Sequence, residues 1–399
     1  MKTIKDIALG GRRVLVRVDF NVPLDGDGHV TDDARIRRSL PTLEYLLARN
    51  ARLIVASHLG RPGGKVVPAF SLAPAAACLE KMLGRKVVLA ADCIGDEAEK
   101  TTRDMAPGDV VMLENLRFHA GEQKNDDAFS RGLAALCEVY VNDAFAVCHR
   151  ANASVVAVTR HVAVCVAGFL LKKELDYFAQ AMTLPRRPLA AVVGGAKVSS
   201  KLAALNNMMG RVDMIFIGGA MANTFLQSTG LDMGRSKVEP DLFETAAGMM
   251  KTAAGKNIDF FLPVDVVAAP RLAADAPVTV VPVGKMPADQ MALDIGPATT
   301  ARYADALAAA GTVVWNGPMG AFEWAPFAKG TAAIVNALAD SDALTIVGGG
   351  DTGGAVHQSG RADDISYIST GGGAFLTLLE GRPLPAVVAL LDAQTSHAD

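Results

Sequence analysis

Seven arginines and two histidines in the first part of this chain fall in or beside short loops: Arg17, Arg35, Arg37, Arg38, Arg61, Arg117 and Arg150, with His58 and His149. A guanidinium offers a planar fork of donors that matches phosphate and carboxylate oxygens. A single such side chain is by default a solvated surface residue or an ion-pair partner, and a single histidine is by default structural. Several at neighbouring loop positions point to a small, multiply charged anion.

The second part uses different chemistry. Gly194–Leu202, reading GGAKVSSKL, puts two glycines at a strand end and then Lys197 and Lys201 one helical turn apart, which offers backbone N–H groups, a helix N-terminus and two ammonium groups to a phosphate chain. It is not a Walker A loop. The run GGGDTG at Gly348–Gly353 formally matches GxGxxG, but a dinucleotide site also wants an acid ending the next strand, and ISYIST ends in Ser369 and Thr370. Asp351 at a helix start suits either an N-cap or a Mg²⁺ shared with nucleotide oxygens. Gly371-Gly372-Gly373 opens a further anion-accepting helix. GxSxG, HExxH and paired CxxC motifs are absent from the sequence, which leaves acyl-serine and zinc hydrolysis without support.

These loops need strands to aim them. Apolar runs at Val14–Val18, Leu53–Ala56, Val87–Ala90, Val110–Leu113, Val139–Val141 and Val162–Val166 alternate with helical patterns. A second set follows at Leu189–Val193, Met214–Ile217, Phe260–Val264, Val278–Val283, Thr312–Trp315, Leu344–Val347 and Ile365–Ile368. Short, wholly apolar runs with helices between them predict parallel strands buried on both faces. The fold class is therefore α/β, two doubly wound parallel-sheet domains, each gathering its unusual residues beyond the carboxyl ends of its strands. Between the sets, Gly168–Leu184 reads as an amphipathic helix, stopped by Pro185, that joins the domains as spine and hinge. The plainer alternative is one more crossover helix of a single large sheet.

With 399 residues, 50% hydrophobic and 20% charged, the chain is globular and long enough for two or three domains. The net charge of −3 argues against general polyanion binding, and so against nucleic acid. No apolar run approaches membrane-spanning length, and the N-terminus has no signal-peptide pattern, so the expectation is a cytoplasmic protein without a membrane partner. Cys78, Cys93, Cys137, Cys148 and Cys165 are odd in number and never spaced as CxxC, which reads as reduced structural thiols. Leu24–His29 superficially suggests a calcium loop, but the required glycine is Val30, and a turn is expected. The tail from Gly381 is too apolar to hang in water and is expected to dock, returning across the first domain.

The motifs RVDFNVP (Arg17–Pro23), SHLGRP (Ser57–Pro62), LENLRFHAGE (Leu113–Glu122), NDAF with HRANAS (Asn142–Ser154), GGAKVSSK, WNGPMGAFE (Trp315–Glu323), GGGDT and STGGGAFL stand in the order found in phosphoglycerate kinases. The chain resembles that family over essentially its whole length. The resemblance implies reversible transfer of the acyl phosphate of 1,3-bisphosphoglycerate to MgADP, giving 3-phosphoglycerate and MgATP in glycolysis. It implies a monomer of two Rossmann-like domains: residues 1–168 for the acid substrate, 169–184 the interdomain helix, 185–380 for the nucleotide, and 381–399 a segment returning to the first domain. Asp19, Asn21, His58, Arg61, Arg117 and Arg150, with Phe20, Leu59 and Gly60 in the same motifs, match the acid-binding residues. Arg35 and Lys201 match the residues that meet the transferring phosphoryl group, and Gly349 and Gly372 match glycines whose N–H groups assist transfer. Lys197, Gly219, Asn316, Glu323, Gly349, Gly350 and Thr352 match nucleotide contacts, and Asp351 the Mg²⁺ contact.

Two stretches depart from the family pattern. AVCHR (Ala146–Arg150) stands where GTAHR is common, which leads us to expect an alkylation-sensitive Cys148. DTGGAV (Asp351–Val356) stands where D[ST]xAA is common, with Gly353 and Gly354 each loosening a helix by roughly 1 kcal/mol relative to alanine. Two other functions remain alternatives at this point: a nicotinamide-dependent oxidoreductase, and a non-catalytic binding module on the same scaffold.

Overall fold

The computed structural model describes residues 1–396; the last three of the segment 381–399 lie outside the described residues. The chain forms two compact units, Met1–Leu175 with the chain from Pro383, and Asp176–Arg382.

The first unit is built on a six-stranded sheet in the order β3-β4-β2-β1-β5-β6. The strands are β1 (Arg13–Arg17), β2 (Arg52–Ala56), β3 (Val87–Leu89), β4 (Val110–Met112), β5 (Val139–Asn142) and β6 (Cys165–Ala167), every neighbouring pair parallel. Val14, Val16, Leu53, Val55, Val139 and Val141 are all but inaccessible and share one core, each contributing about 1.5–3 kcal/mol of apolar burial. The strand order reverses at β1, so the loops after β1, β2, β4 and β5 converge at the switch point. The run expected at Val162–Val166 is shorter and later, because Val162 and Cys165 enclose a tight turn in which Cys165 Sγ faces the Val162 carbonyl at 3.2 Å. Leu24 and Val30 form an antiparallel bridge around the Asp25–His29 turn. From Pro383 the chain forms a helix, Pro385–Ser396, packed on β6. Gln394 Nε2 donates to the Cys165 and Lys2 carbonyls, both at 3.1 Å.

The second unit repeats the plan with β15-β14-β13-β7-β8-β9. The six strands are β7 (Leu189–Val193), β8 (Met214–Ile217), β9 (Asp259–Phe261), β13 (Thr312–Asn316), β14 (Leu344–Gly348) and β15 (Tyr367–Ile368), all parallel. One expectation fails here. β10 (Asp265–Ala269), β11 (Thr279–Pro282) and β12 (Met291–Ile295) form a separate antiparallel sheet in the order β11-β10-β12. Val278–Val283 is therefore not a doubly buried parallel strand: Val278 and Val280 are 46% and 51% exposed. The run Phe260–Val264 ends as a strand at Phe261, because Pro263 cannot donate to a ladder, and the chain restarts at Asp265. β12 alternates partly buried and buried side chains and carries the buried Asp294, so it shows no continuous apolar run.

The helix expected over Gly168–Leu184 runs from Phe169 to Met182. Its N-terminus is held by the first unit: Asp143 Oδ1 accepts from Leu170 N–H at 2.8 Å and Leu171 N–H at 3.2 Å, and Thr42 Oγ1 accepts from Phe169 N–H at 2.9 Å. Gly168 is required, since a Cβ there would overlap the Asp143 side chain. Burial pushes the Asp143 carboxyl up to about 7, with Thr42, Leu171 and Leu170 hydrogen bonds pulling the other way.

A carboxyl raised above its unfolded value of about 3.9 contributes fully only below that value and loses the contribution as pH rises through its folded pKa. Asp143→Asn keeps an acceptor for the helix and removes the ionisation. It is expected to match the wild type only below about pH 4 and to exceed it by roughly 2–4 kcal/mol at about pH 8 in urea unfolding; a pH-independent difference would show that Asp143 is ionised throughout.

Candidate active site

β1 delivers Asp19, Phe20 and Asn21; β2 delivers His58, Leu59 and Gly60; β4 delivers Asn115 and Arg117. The helix Ala34–Leu47 presents Arg35 in its first turn. Arg35 Nη1 pairs with Asp19 Oδ2. The loops are tied together by their own polar groups. Asn21 Oδ1 accepts from Gly60 N–H at 2.8 Å, the Ser57 hydroxyl accepts from Phe20 N–H at 2.8 Å, and Arg117 Nη1 donates to the Gly60 carbonyl at 2.7 Å. Asn115 Nδ2 donates to the carbonyls of Leu59 at 2.7 Å and Phe70 at 2.9 Å. Gly60 has φ +60, and a Cβ there would run into the Phe70 ring.

Burial raises the Asp19 carboxyl, but His58, Arg35, Arg17 and the Asn21 N–H outweigh it and hold the group below its ordinary range. His58 is pushed well down by burial, opposed by Asp19 and reinforced by Arg17, Arg117 and Arg35, so it is neutral at pH 7. Burial and the charges of Arg17 and Arg150 bring Arg117 down to about 10, against the pull of Glu122 and Asp19. The edge is a preassembled nest of donors with surplus positive charge, as an anion site requires.

Not every basic residue joins it. Arg61 is exposed in the same loop as Gly60, and Arg37 pairs with Asp33 at 2.8 Å on the helix surface. Arg150 is exposed, its Nε donating to His149 Nε2 at 3.2 Å, while its charge reaches Arg117. Asn142 and Asp143 turn inward and serve the backbone: Asn142 Oδ1 accepts from Ala144 N–H at 3.0 Å. Sequence reasoning missed Ser57, Asn115, Glu122 and Ser154, short polar residues whose partners lie far along the chain; the one available signal was their place inside the recognised motifs.

In the second unit the carboxyl ends of β7, β8, β13 and β14 meet backbone to backbone. A Cβ on Gly194 would overlap the Pro318 and Gly317 carbonyls, and one on Gly219, at φ +66, would lie 2.6 Å from Gly195 N. Only glycine permits this approach. Lys201 Nζ donates to Asn316 Oδ1, and Asn316 Nδ2 donates to the Gly348 carbonyl at 2.8 Å. Thr352 Oγ1 accepts from Gly317 N–H at 2.8 Å. Burial lowers the Lys201 ammonium, with Asp351 and Glu380 pulling the other way.

The helix Gly350–Gln358 starts at the Gly349 N-cap, φ +106, so Asp351 lies in the first turn and is not the cap. A Cβ on Gly372 would approach Gly349 Cα to 3.0 Å and Gly350 N to 3.3 Å, so the Gly371–Gly373 backbone borders this helix start. Lys197 and Lys201 do not share a helical turn: the helix begins at Leu202 with Lys201 as its N-cap. Lys197 is exposed in the preceding loop, where its charge bears on Glu239. Glu323 is exposed in a turn after β13, outside the hydrogen bonds that join Lys201, Asn316 and Gly348 among the described residues.

The expected reactivity of Cys148 is overturned. It is fully buried, its Sγ faces the Ala144 carbonyl at 3.4 Å, and burial pushes the thiol up to about 12. Because the thiolate is the nucleophile, iodoacetamide at about pH 7 is expected to leave Cys148 unlabelled in the native protein and to label it on unfolding, as peptide mass spectrometry reads.

The phosphoglycerate kinase family matches residues 4–382 of the chain. Phosphoglycerate kinase from Desulfosudis oleivorans is 57% identical over 390 residues, 98% of either chain, and that from Desulfotalea psychrophila is 56% identical over 98% of this chain and all of its own. Among solved structures, phosphoglycerate kinase from Coxiella burnetii superposes with a TM-score of 0.89 at 41% identity, covering 98% of both chains. That from Pyrococcus horikoshii superposes at 0.87 with 31% identity, covering 99% of this chain and 100% of its own.

Proposed function

We infer residue roles from one premise: the chain belongs to the phosphoglycerate kinase family. It is accordingly a phosphotransferase of glycolysis, moving a phosphoryl group reversibly between 1,3-bisphosphoglycerate and MgADP to give 3-phosphoglycerate and MgATP. In our reading residues 1–168 bind the acid, residues 185–380 bind the nucleotide, and the Phe169–Met182 helix is the link whose bending brings the substrates into line.

The observation that carries the acid assignment is the arginine cluster around Asp19 and His58, an excess of fixed donors beside a neutral imidazole. Read in the direction of ATP use, the nucleophile is the carboxylate of 3-phosphoglycerate, already ionised at pH 7, so no general base is needed. What remains is positioning and charge stabilisation. Asn21, His58, Arg61, Arg117 and Arg150 hold the acid and its phosphate; Asp19 orients Arg35 and His58. Arg35 meets the transferring group from the acid side and Lys201 from the nucleotide side. Both donors start engaged, Arg35 with Asp19 and Lys201 with Asn316, so each exchanges a protein partner for the moving phosphoryl oxygens.

For the nucleotide we assign Lys197, Gly219, Asn316, Glu323, Gly349, Gly350 and Thr352, with the N–H groups of Gly349 and Gly372 directed at phosphate oxygens. Kinases of this family act on nucleotide substrates, and a magnesium-bound form fits Asp351: an exposed carboxylate in the first turn of a helix, in the field of Lys201, suits a hard cation completed by phosphate oxygens. Bound there, the ion would neutralise phosphate charge. The five unpaired thiols support a reducing compartment, and we assign the enzyme to the cytoplasm as a monomer.

Coupled turnover of 3-phosphoglycerate with MgATP tests these roles. Arg35→Ala and Lys201→Ala are each expected to lower kcat by ~10³ to 10⁵, the scale of transition-state cations in phosphoryl transfer, with modest change in nucleotide affinity. Near-normal turnover in either variant would refute the role given to that residue.

A further inference from the structure

Glu122 delivers no group to the acid-binding loops, yet its carboxylate is fully buried and ends a chain of hydrogen bonds that starts at His58. It accepts from the Ser154 N–H at 2.9 Å, the Ser154 hydroxyl at 2.7 Å and Asn152 Nδ2 at 3.3 Å. The hydroxyl has one proton, and the carboxylate takes it. Its lone pair then accepts from Arg17 Nε at 3.0 Å. Tyr140 OH donates to the Ser154 carbonyl at 2.7 Å, so Ser154 is held at all three of its polar groups.

Arg17 Nη2 lies 3.1 Å from His58 Nδ1. A guanidinium has donors only, so Nδ1 must be the bare, accepting nitrogen. Two neighbours compete for that position. Asp19 Oδ1, 3.8 Å from Nδ1, favours a proton there; Arg17, nearer and within hydrogen-bonding range, forbids it. The remaining charges facing the ring are Arg35 and Arg117, which with burial disfavour a second proton. Among the described residues none hydrogen-bonds His58 Nε2.

We propose that Glu122 is a positioning residue: through Ser154 and Arg17 it holds His58 as the neutral tautomer protonated at Nε2, presenting that N–H to the acidic substrate. Without the buried negative charge the Ser154 hydroxyl loses its charged acceptor, Arg17 keeps the Val18 carbonyl but loses the firm hold on its Nε, and Asp19 is free to draw a proton to Nδ1. The last clause rests on the reading of this edge as the 3-phosphoglycerate site; the tautomer itself does not.

The test begins with ring-nitrogen NMR of the ligand-free enzyme near neutral pH, with His58→Gln used only to assign the signals. In the wild type His58 is expected to carry its proton on Nε2 alone. In Glu122→Gln and in Ser154→Ala that signature should be lost in favour of Nδ1–H or the doubly protonated ring. In the same variants KM for 3-phosphoglycerate should rise roughly tenfold or more, the scale of one charge-assisted hydrogen bond, with KM for MgATP within about twofold of wild type. A wild-type His58 protonated at Nδ1 overturns the proposal with no variant involved, and so does an unchanged tautomer in two folded variants. A tautomer that switches as expected while KM for 3-phosphoglycerate stays fixed upholds the relay and overturns the substrate assignment.

Discussion

Arg17 carries a full positive charge at the carboxyl end of a strand buried on both faces, and 1% of its surface reaches solvent. An unpaired ion in such a place would cost many kcal/mol. The surrounding structure has to answer that charge, and the answer shapes the edge. The Val18 carbonyl, the Ser154 hydroxyl and His58 Nδ1 take its donors; Glu122 and Asp19 supply the compensating negative charges nearby. Arg35 and Arg117 join the same field, so three guanidinium groups stand against two carboxylates. The imbalance is tolerable because Arg35 keeps water access, and it makes the site complementary to an incoming anion before one arrives.

The second unit is assembled through its backbone. Glycines at the ends of β7, β8 and β13 allow main chains to approach more closely than any side chain permits, an arrangement that suits anion recognition by backbone N–H groups. Asn316 and Thr352 bind the neighbouring strand ends into one rigid piece. A flexible polyphosphate is suited by many weak directional donors; a compact acid carrying both a carboxylate and a phosphate is suited by a few strong ones. On the assignment proposed above, that chemical difference accounts for the different composition of the two edges better than any difference in fold, since both sheets are six-stranded and parallel.

Much of this was legible in the sequence because buried parallel strands are continuous apolar runs, and a strand's end is where its polar motif begins. The α/β class, most strands and the grouping of Asp19, His58 and Arg117 follow from that rule. What the rule could not reach were features with other periods or with partners far along the chain. β12 escaped because Asp294 interrupts it, and β10 because Pro263 was read as part of a longer strand. Lys197 and Lys201 were assigned one helical turn on spacing alone, whereas the chain delays its helix to Leu202. Glu122 and Ser154 gave no signal beyond their place in recognised motifs, since their hydrogen bonds to one another and to Arg17 form only when β5 and the loops beyond it fold onto Arg17.

The two departures from the family pattern can be weighed by what surrounds them. Cys148 adjoins His149 and Arg150 in sequence but points the other way, beneath the loop and toward Asn142 and the Ala144 carbonyl. It fills core space, so a small apolar residue would serve equally and the anion site would not register the exchange. Gly354 has open space where a Cβ would stand, and a Cβ on Gly353 would meet Ile368 Cγ2 at 3.2 Å. At Gly354 the missing methyl costs only helix propensity, about 1 kcal/mol; at Gly353 an alanine would also have to displace a β15 side chain. The Gly350–Gln358 helix nonetheless forms, because its first turn is anchored from outside by Thr352 against the Gly317 N–H. A tertiary hydrogen bond at the start of the helix offsets weak propensity behind it, and it acts at the end whose first backbone N–H groups have no partner within the helix.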